Sequence, residues 1–278
     1  MTQIITPRRA IARAAALCLA GVLPVAAQAQ AQGASDAWQW EATIYGWFPA
    51  IGGTTSFLPS GGGPSIDVSA DQVIDALKFA FMGNFGGKKG QWGFWTDLVY
   101  ADFGADKSGT RDFNVGHQGL PAGVDANLSL DIKSWIWTVA GTYSLAAKPE
   151  GTADLLFGAR LLDMDQKLSW AFNGDISGRP FPPRSGSASV GVSDWDAIIG
   201  LKGRVNLSDD RKWFIPYYVD VGAGDSKLTW QAIAGVGYQF GWGSVLATWR
   251  YLDYDFKSSS KVSSMNFNGA AIGVSFAW

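Results

Sequence analysis

The sequence predicts an all-β protein, a transmembrane up-and-down antiparallel β-barrel of about ten strands, with roughly eight to twelve allowed by the pattern. Three observations predict it. Apolar residues recur at every second position along most of the chain. The composition holds 35 Gly and 14 Trp but only 17% charged residues, where soluble domains carry about 25%. No stretch after the first thirty residues holds enough consecutive apolar residues to form a spanning helix.

The last segment shows the alternation most plainly. Ala270, Ile272, Val274, Phe276 and Trp278 fall on one face, and Gly269, Ala271, Gly273, Ser275 and Ala277 fall on the other. A large apolar face against lipid and a small face toward a crowded interior would produce this pattern. Earlier segments repeat it, from Trp38, Trp40, Ala42 and Ile44 through Phe79, Phe81 and Phe85 to Trp92, Phe94, Leu98 and Tyr100. Trp135, Trp137 and Val139 continue the series, followed by Leu155, Phe157 and Leu161, then Trp195, Ile199 and Leu201. Trp213, Ile215 and Tyr217, then Trp230, Val236 and Tyr238, then Val245, Trp249 and Tyr251 lead into the last strand.

The connections alternate in length. Short turns are expected at 86–90, 147–151, 208–211 and 241–243. Longer Gly/Ser/Pro-rich segments are expected at 49–76, 105–126, 173–193 and 257–264, with a shorter one at 222–227 on the same side. Outer-membrane barrels place short turns in the periplasm and longer loops outside. Within the first long segment, Ser69 precedes Ala70-Asp71-Gln72-Val73-Ile74-Asp75-Ala76 and suits the cap of a short helix. Ser65 to Val68 suits an extra short strand. Seven aromatic residues lie near the short turns and predict an interfacial girdle: Trp38, Trp40, Trp92, Trp213, Tyr238, Trp242 and Trp278.

The start of the chain reads as a secretory leader over residues 1–29, with the barrel over 36–278. Arg8, Arg9 and Arg13 precede an apolar stretch, and Ala27-Gln28-Ala29 and Ala29-Gln30-Ala31 are candidate cleavage sites. Pro24 interrupts the stretch, which is short for an anchor. Loss of the leader would leave 19 basic against 24 acidic residues, a formal charge of −5. No basic run of the nucleic-acid-binding kind occurs. The only Cys, Cys18, falls in the leader, and the only His is His117. Thiol chemistry, a disulfide framework and a His-based metal site are therefore excluded from the barrel, and no cofactor is implied.

Nine charged residues fall on the inward phase: Glu41, Lys78, Asp97, Arg160, Asp196, Lys202, Arg204, Asp220 and Arg250. Charges removed from water must be paired. Their near balance predicts an interior ion-pair network. Tyr45, Trp47, Trp95, Tyr218 and Tyr254 share that phase. Ten strands filled this way predict a narrow or closed lumen, since eight strands are just filled by side chains and 16–18 leave an open channel.

Several stretches carry a resemblance. They are Trp47-Phe48-Pro49-Ala50-Ile51-Gly52-Gly53, the run from Gly222 to Ala232 followed by Gly235-Val236-Gly237-Tyr238, Trp249-Arg250-Tyr251-Leu252-Asp253-Tyr254, and the terminal strand. Together they resemble a family of uncharacterised bacterial outer-membrane β-barrel proteins. The resemblance covers most of the chain beyond the leader and implies a place in the cell outer membrane, with lipid as the main partner. The terminal aromatic resembles the signal read by the barrel-assembly machinery, with Trp278 where Phe is commonest.

For function, three classes stand side by side. A structural protein or narrow passive channel, monomeric, is the first expectation, and it is not an enzyme. A hydrolase would need His117 joined by carboxylates such as Asp112 or Asp125, within a stretch that also holds Gly116, Gly119 and Gly123. An adhesin would act through the outside loops, of which Arg179-Pro180-Phe181-Pro182-Pro183-Arg184 is the most distinctive. No phosphate loop, zinc pattern or nucleotide fingerprint is present.

Overall fold

The computed structural model describes residues 37–55, 65–109, 114–115, 118–119, 124–176, 179–258, 260 and 262–278. The expected leader and His117 lie outside the described residues. Strands β1 (Gln39–Thr55), β2 (Ser65–Val68), β3 (Leu77–Lys89), β4 (Trp92–Gly109), β5 (Asn114–Val115) and β6 (Gln118–Gly119) form the first part of the chain. Helix α1 (Ala70–Ala76) interrupts them. Strands β7 (Val124–Lys148), β8 (Gly151–Ile176), β9 (Arg179–Asn206), β10 (Trp213–Gly224), β11 (Leu228–Gln239), β12 (Ser244–Asp255) and β13 (Val262–Ala277) follow.

The sheet runs β13-β12-β11-β10-β9-β8-β7-β4-β3-β1, and β13 pairs again with β1 to close a ring of ten antiparallel strands. The closing register extends from Glu41 opposite Ala277 to Thr55 opposite Val262. Trp40 and Trp278 exchange two backbone hydrogen bonds, of 2.8 and 3.1 Å, that anchor the last residue. Closure leaves no free edge along the spanning part of the sheet, which a lipid core requires. The extra strand expected near Ser65 is β2, a flap on β1 outside the ring.

Side chains take the two faces in turn. Ile44 and Ile272 point outward and are 64% and 58% exposed. Thr43, Trp47, Ala271 and Ser275 point inward and are buried. Small inward residues let large ones fit. A Cβ on Gly273 would come within 2.7 Å of the Tyr45 Cβ, and one on Gly200 would come within 2.7 Å of the Asp220 Cβ. The turn between β3 and β4 needs Gly90, whose φ of 64° lies in the left-handed region.

Two expectations are corrected. The segment 173–193 is not a long loop, because β8 continues to Ile176 and β9 starts at Arg179. Its Gly, Ser and Pro content reads as loop, yet pairing from Phe172–Arg184 down to Asp163–Ser193 satisfies its backbone. Likewise β1 runs on to Thr55 and β4 to Gly109. Strands of 25, 26 and 28 residues far exceed the ~9–11 that a membrane needs. The wall β7–β8–β9 therefore projects well beyond the bilayer, whereas β10, β11 and β12 have only 12 residues each.

The second correction concerns Lys78. Alternation places it in the lumen, but the register of β3 against β4 shifts between Leu77 and Phe79. That irregularity turns Lys78 to the outer face, where its Nζ donates to Asp131 at 2.7 Å. A Cβ on the outward Gly104 would meet the Lys78 side chain. A bulge inserts one extra residue and shifts the phase beyond it, so a strict two-residue count fails at that point.

Helix α1 forms where expected. The Ser69 N–H donates to Gln72 Oε1 at 3.1 Å, and Val73 is the buried residue of its inner side.

Candidate functional site

The lumen is stacked in layers. Its middle layer is a pair of buried arginine clusters. Arg250 on β12 ion-pairs with Asp97 on β4 at 2.8 Å. It also donates to Tyr45 Oη at 2.7 Å and to Gln231 Oε1 at 2.9 and 3.2 Å. Tyr45 in turn donates to the second oxygen of Asp97 at 2.6 Å. The Arg250 guanidinium lies 4.6 Å from the Trp47 ring centre. Beside it, Arg160 on β8 ion-pairs with Asp220 on β10. Arg160 also donates to Thr138 and Thr229 hydroxyls, both at 3.3 Å, while Tyr218 donates to Asp220. Both members of this second pair are 0% exposed. Each guanidinium thus reaches a carboxylate and neutral oxygens, the arrangement that makes a buried charge tolerable.

Above this layer, toward the long strands, the lumen is apolar. Trp47, Met82, Val99, Ile136, Leu162, Leu252, Tyr254, Met265 and Phe267 pack there as one cluster. Leu162, Leu252 and Tyr254 are 0% exposed. Leu162 stands one inward position beyond Arg160, Leu252 one beyond Arg250, and Tyr254 one further along the same strand. Below the network lies a second apolar layer of Trp95, Ala140, Leu156, Ile198 and Tyr218.

Below that layer the lumen opens. A cavity of about 400 Å³ at the short-turn end is lined by Glu41, Lys88, Thr142, Thr152, Asp154, Lys202, Arg204, Phe214, Gln239 and Ser244, among others. A second cavity of about 160 Å³ shares Glu41 and Lys202 with it and reaches up to Asp97 and Arg250. The opening thus ends on the arginine network.

The nine inward charges predicted from sequence separate into four groups. Asp97, Arg250, Arg160 and Asp220 form the mid-lumen pairs. Asp196 is buried and forms no ion pair among the described residues: its oxygens accept the Ser226 N–H at 2.9 Å and the Ser226 hydroxyl at 2.7 Å, latching the β10–β11 connection to β9. Glu41, Lys202 and Arg204 line the turn-end cavity. Lys78 sits on the outer wall. Sequence reasoning did not assign the neutral partners Gln231, Thr138 and Thr229, nor Lys88, Asp154 and Phe214 in the cavity. Their inward phase was the available signal.

The seven aromatics near the turns lie in one belt. Trp38 stacks on Trp40 at 5.1 Å, Trp213 meets Tyr238 at 4.9 Å and Trp92 meets Tyr143 at 4.9 Å. Phe240 bridges Tyr238 and Trp242, and Trp242 meets Phe276. Trp278, the last residue, is 65% exposed. A second belt, not singled out in the sequence, crosses the other end of the spanning strands. Phe79, Tyr100 and Trp135 touch in series, Trp137 meets Trp195, and Trp230 stacks on Tyr251. The two belts are eight residues apart on β4, from Trp92 to Tyr100. That is ~27 Å along the strand and roughly 20 Å along the membrane normal after a ~40° tilt. Between them the outer wall is aliphatic and aromatic, as a hydrocarbon environment requires.

No protein-family model matches the sequence, and no curated protein matches it. Among solved structures, the outer membrane protease OmpT from Escherichia coli aligns over 90% of this chain and 99% of its own, at 11% identity and a TM-score of 0.50. The translocator domain of autotransporter NalP from Neisseria meningitidis aligns over 96% and 97%, at 16% identity and a TM-score of 0.36. Ail, the attachment invasion locus protein of Yersinia pestis, aligns over 87% and 99%, at 11% identity and a TM-score of 0.32. At these identities the likeness is one of fold. The closed ring of ten antiparallel strands, its lipid-suited outer wall and the match to OmpT together make this chain an outer-membrane β-barrel in fold.

Proposed function

We propose that the chain acts as a sealed, monomeric, non-enzymatic barrel of the outer membrane, a structural element that does not conduct. One observation supports this reading above the others. The lumen is filled at mid-height by Arg160–Asp220 and Arg250–Asp97, and Leu162, Leu252 and Tyr254 close it immediately above. An ion crossing it would have to displace buried, multiply bonded arginines, and breaking such a pair leaves an uncompensated charge at a cost of about 3–5 kcal/mol.

Conductance in planar bilayers tests the proposal. The purified barrel is expected to give no discrete current steps in 1 M salt, a condition chosen to make even a narrow passage visible. Stable unitary steps that change size in Leu252→Ala would overturn it in favour of a narrow channel. Hydrolysis of a peptide or lipid ester that disappears in His117→Ala would overturn the non-enzymatic part. The assembly machinery is expected to read the terminal strand, and removal of Trp278 should reduce the amount of folded barrel recovered from membranes.

A further inference from the structure

The turn-end cavity has a chemistry that a sealed structural barrel does not need. Lys202 and Arg204 stand two positions apart on the inner face of β9, and Lys88 lines the same cavity from β3. None of the three forms an ion pair among the described residues. For Lys202 this is not for want of a neighbour, because Asp154 is its direct partner in the β8–β9 ladder. Asp154 instead accepts the Ser144 hydroxyl at 2.8 Å. Glu41, the other carboxylate of the cavity, accepts the Ser275 hydroxyl at 3.3 Å.

The two β9 cations rest on aromatic faces. The Lys202 Nζ lies 5.3 Å from the Trp95 ring centre, and the Arg204 guanidinium lies 5.1 Å from that of Phe214. An aromatic face holds a cation in place without neutralising it, so its N–H donors remain available. The hydroxyl residues Thr142, Thr152 and Ser244 line the same space. About 400 Å³ is within the size range of small-molecule sites.

We propose that this vestibule binds a small anion through a phosphate group, and that the ligand enters from the periplasmic side. A phosphate offers enough acceptor oxygens for a guanidinium fork, two ammonium groups and neighbouring hydroxyls. The short turns and the strand end at Trp278 surround this mouth, which is the periplasmic end by the usual orientation of outer-membrane barrels. The arginine network forms the blind end, so the site is a pocket and not a passage. The blind end rests on the sealed-lumen reading, but phosphate binding at the mouth does not: binding is measured on detergent-solubilised protein, and conductance is measured across a bilayer.

The test is calorimetric titration of inorganic phosphate into the barrel purified from membranes in maltoside micelles at low ionic strength. Saturable binding is expected, weakened at least tenfold in the double variant Lys202→Gln/Arg204→Gln and strengthened in Glu41→Gln. Heat-dependent mobility on gels reports whether each variant is folded. If the double variant does not fold, Lys88→Gln serves in its place, with a threefold or greater loss expected. Absence of saturable binding in the unmodified protein, or undiminished binding in the folded variants, overturns the proposal. Short-chain phosphatidylglycerol that displaces phosphate would assign the pocket to a lipid head group. Failure to displace it would assign the pocket to the free ion, and either result supports phosphate recognition.

Discussion

The two halves of the lumen are built from the same ten strands and the same alternation, yet they are physical opposites. The half toward the long strands is dry: Leu162, Leu252 and Tyr254 have no exposed surface, and the cations below them are paired. The half toward the short turns is wet, with Lys202 and Arg204 half-buried and without carboxylate partners among the described residues. The difference teaches that a barrel's strand number sets the width of its interior but not whether it is full. Filling is decided residue by residue, by whether each inward position carries bulk or a partner.

The largest expected effect breaks the dry half. Asp220→Ala leaves Arg160 buried without the carboxylate it bonds, its remaining hydrogen-bond partners being the neutral hydroxyls of Thr138 and Thr229. Stability should fall by about 3–5 kcal/mol. The matched change in the wet half, Asp154→Ala, removes a carboxylate that among the described residues is bonded only to Ser144, and should cost less than about 1 kcal/mol. Urea titrations of both variants in micelles, followed by tryptophan fluorescence, compare the two directly. Equal losses would mean that the turn-end half is as dry as the other.

A smaller effect sharpens the same contrast with apolar residues. Leu252 is fully buried in the plug, whereas Leu246, on the same strand and three turns of the pleat lower, lines the cavity. Leu252→Ala should cost about 2–5 kcal/mol through lost burial and the void it leaves. Leu246→Ala should cost less than about half of that, because water already reaches its side chain. Unfolding midpoints at unchanged urea dependence give both numbers.

The two faces of each strand were legible in the sequence, because inward and outward positions follow a period of two wherever the ladder is regular, but the contrast between the halves was not: the nine inward charges read as one network. All ten spanning strands and the inward phase of Tyr45, Trp47, Trp95, Tyr218 and Tyr254 follow from that period. The partners inside do not. Tyr45 and Arg250 are 205 residues apart, and only closure of β13 on β1 brings them together. Lys78 escaped the count because one bulge resets the phase. The tall wall escaped because Gly, Ser and Pro read as loop, although Gly and Ser keep the backbone donors and acceptors that a ladder uses. The second aromatic belt was present in Tyr100, Trp135, Trp195 and Trp230, but its level becomes visible only once the strands are in register.

The smallest expected effect lies outside both halves, in the turn between β9 and β10. Arg211 holds a left-handed φ of 54° there. Asp210 accepts the Ser208 hydroxyl at 2.6 Å and the Lys212 N–H at 3.1 Å, and lies 3.4 Å from the Lys212 Nζ. These contacts, the Ser208 bond foremost, hold its carboxyl below the ordinary aspartate value. A carboxyl depressed in the folded state binds protons less readily than in the unfolded chain. Its contribution is therefore present above the unfolded value, about 3.9, and is lost as pH falls through the lower folded one. Asp210→Asn should thus separate from the parent protein near neutrality and converge with it in acid. The gap should be small, because the turn is fully solvated and salt screens it. Thermal unfolding at pH 7 and at pH 3, in low and high salt, would reveal it. A gap that widens in acid would show that Asp210 acts through something other than its charge.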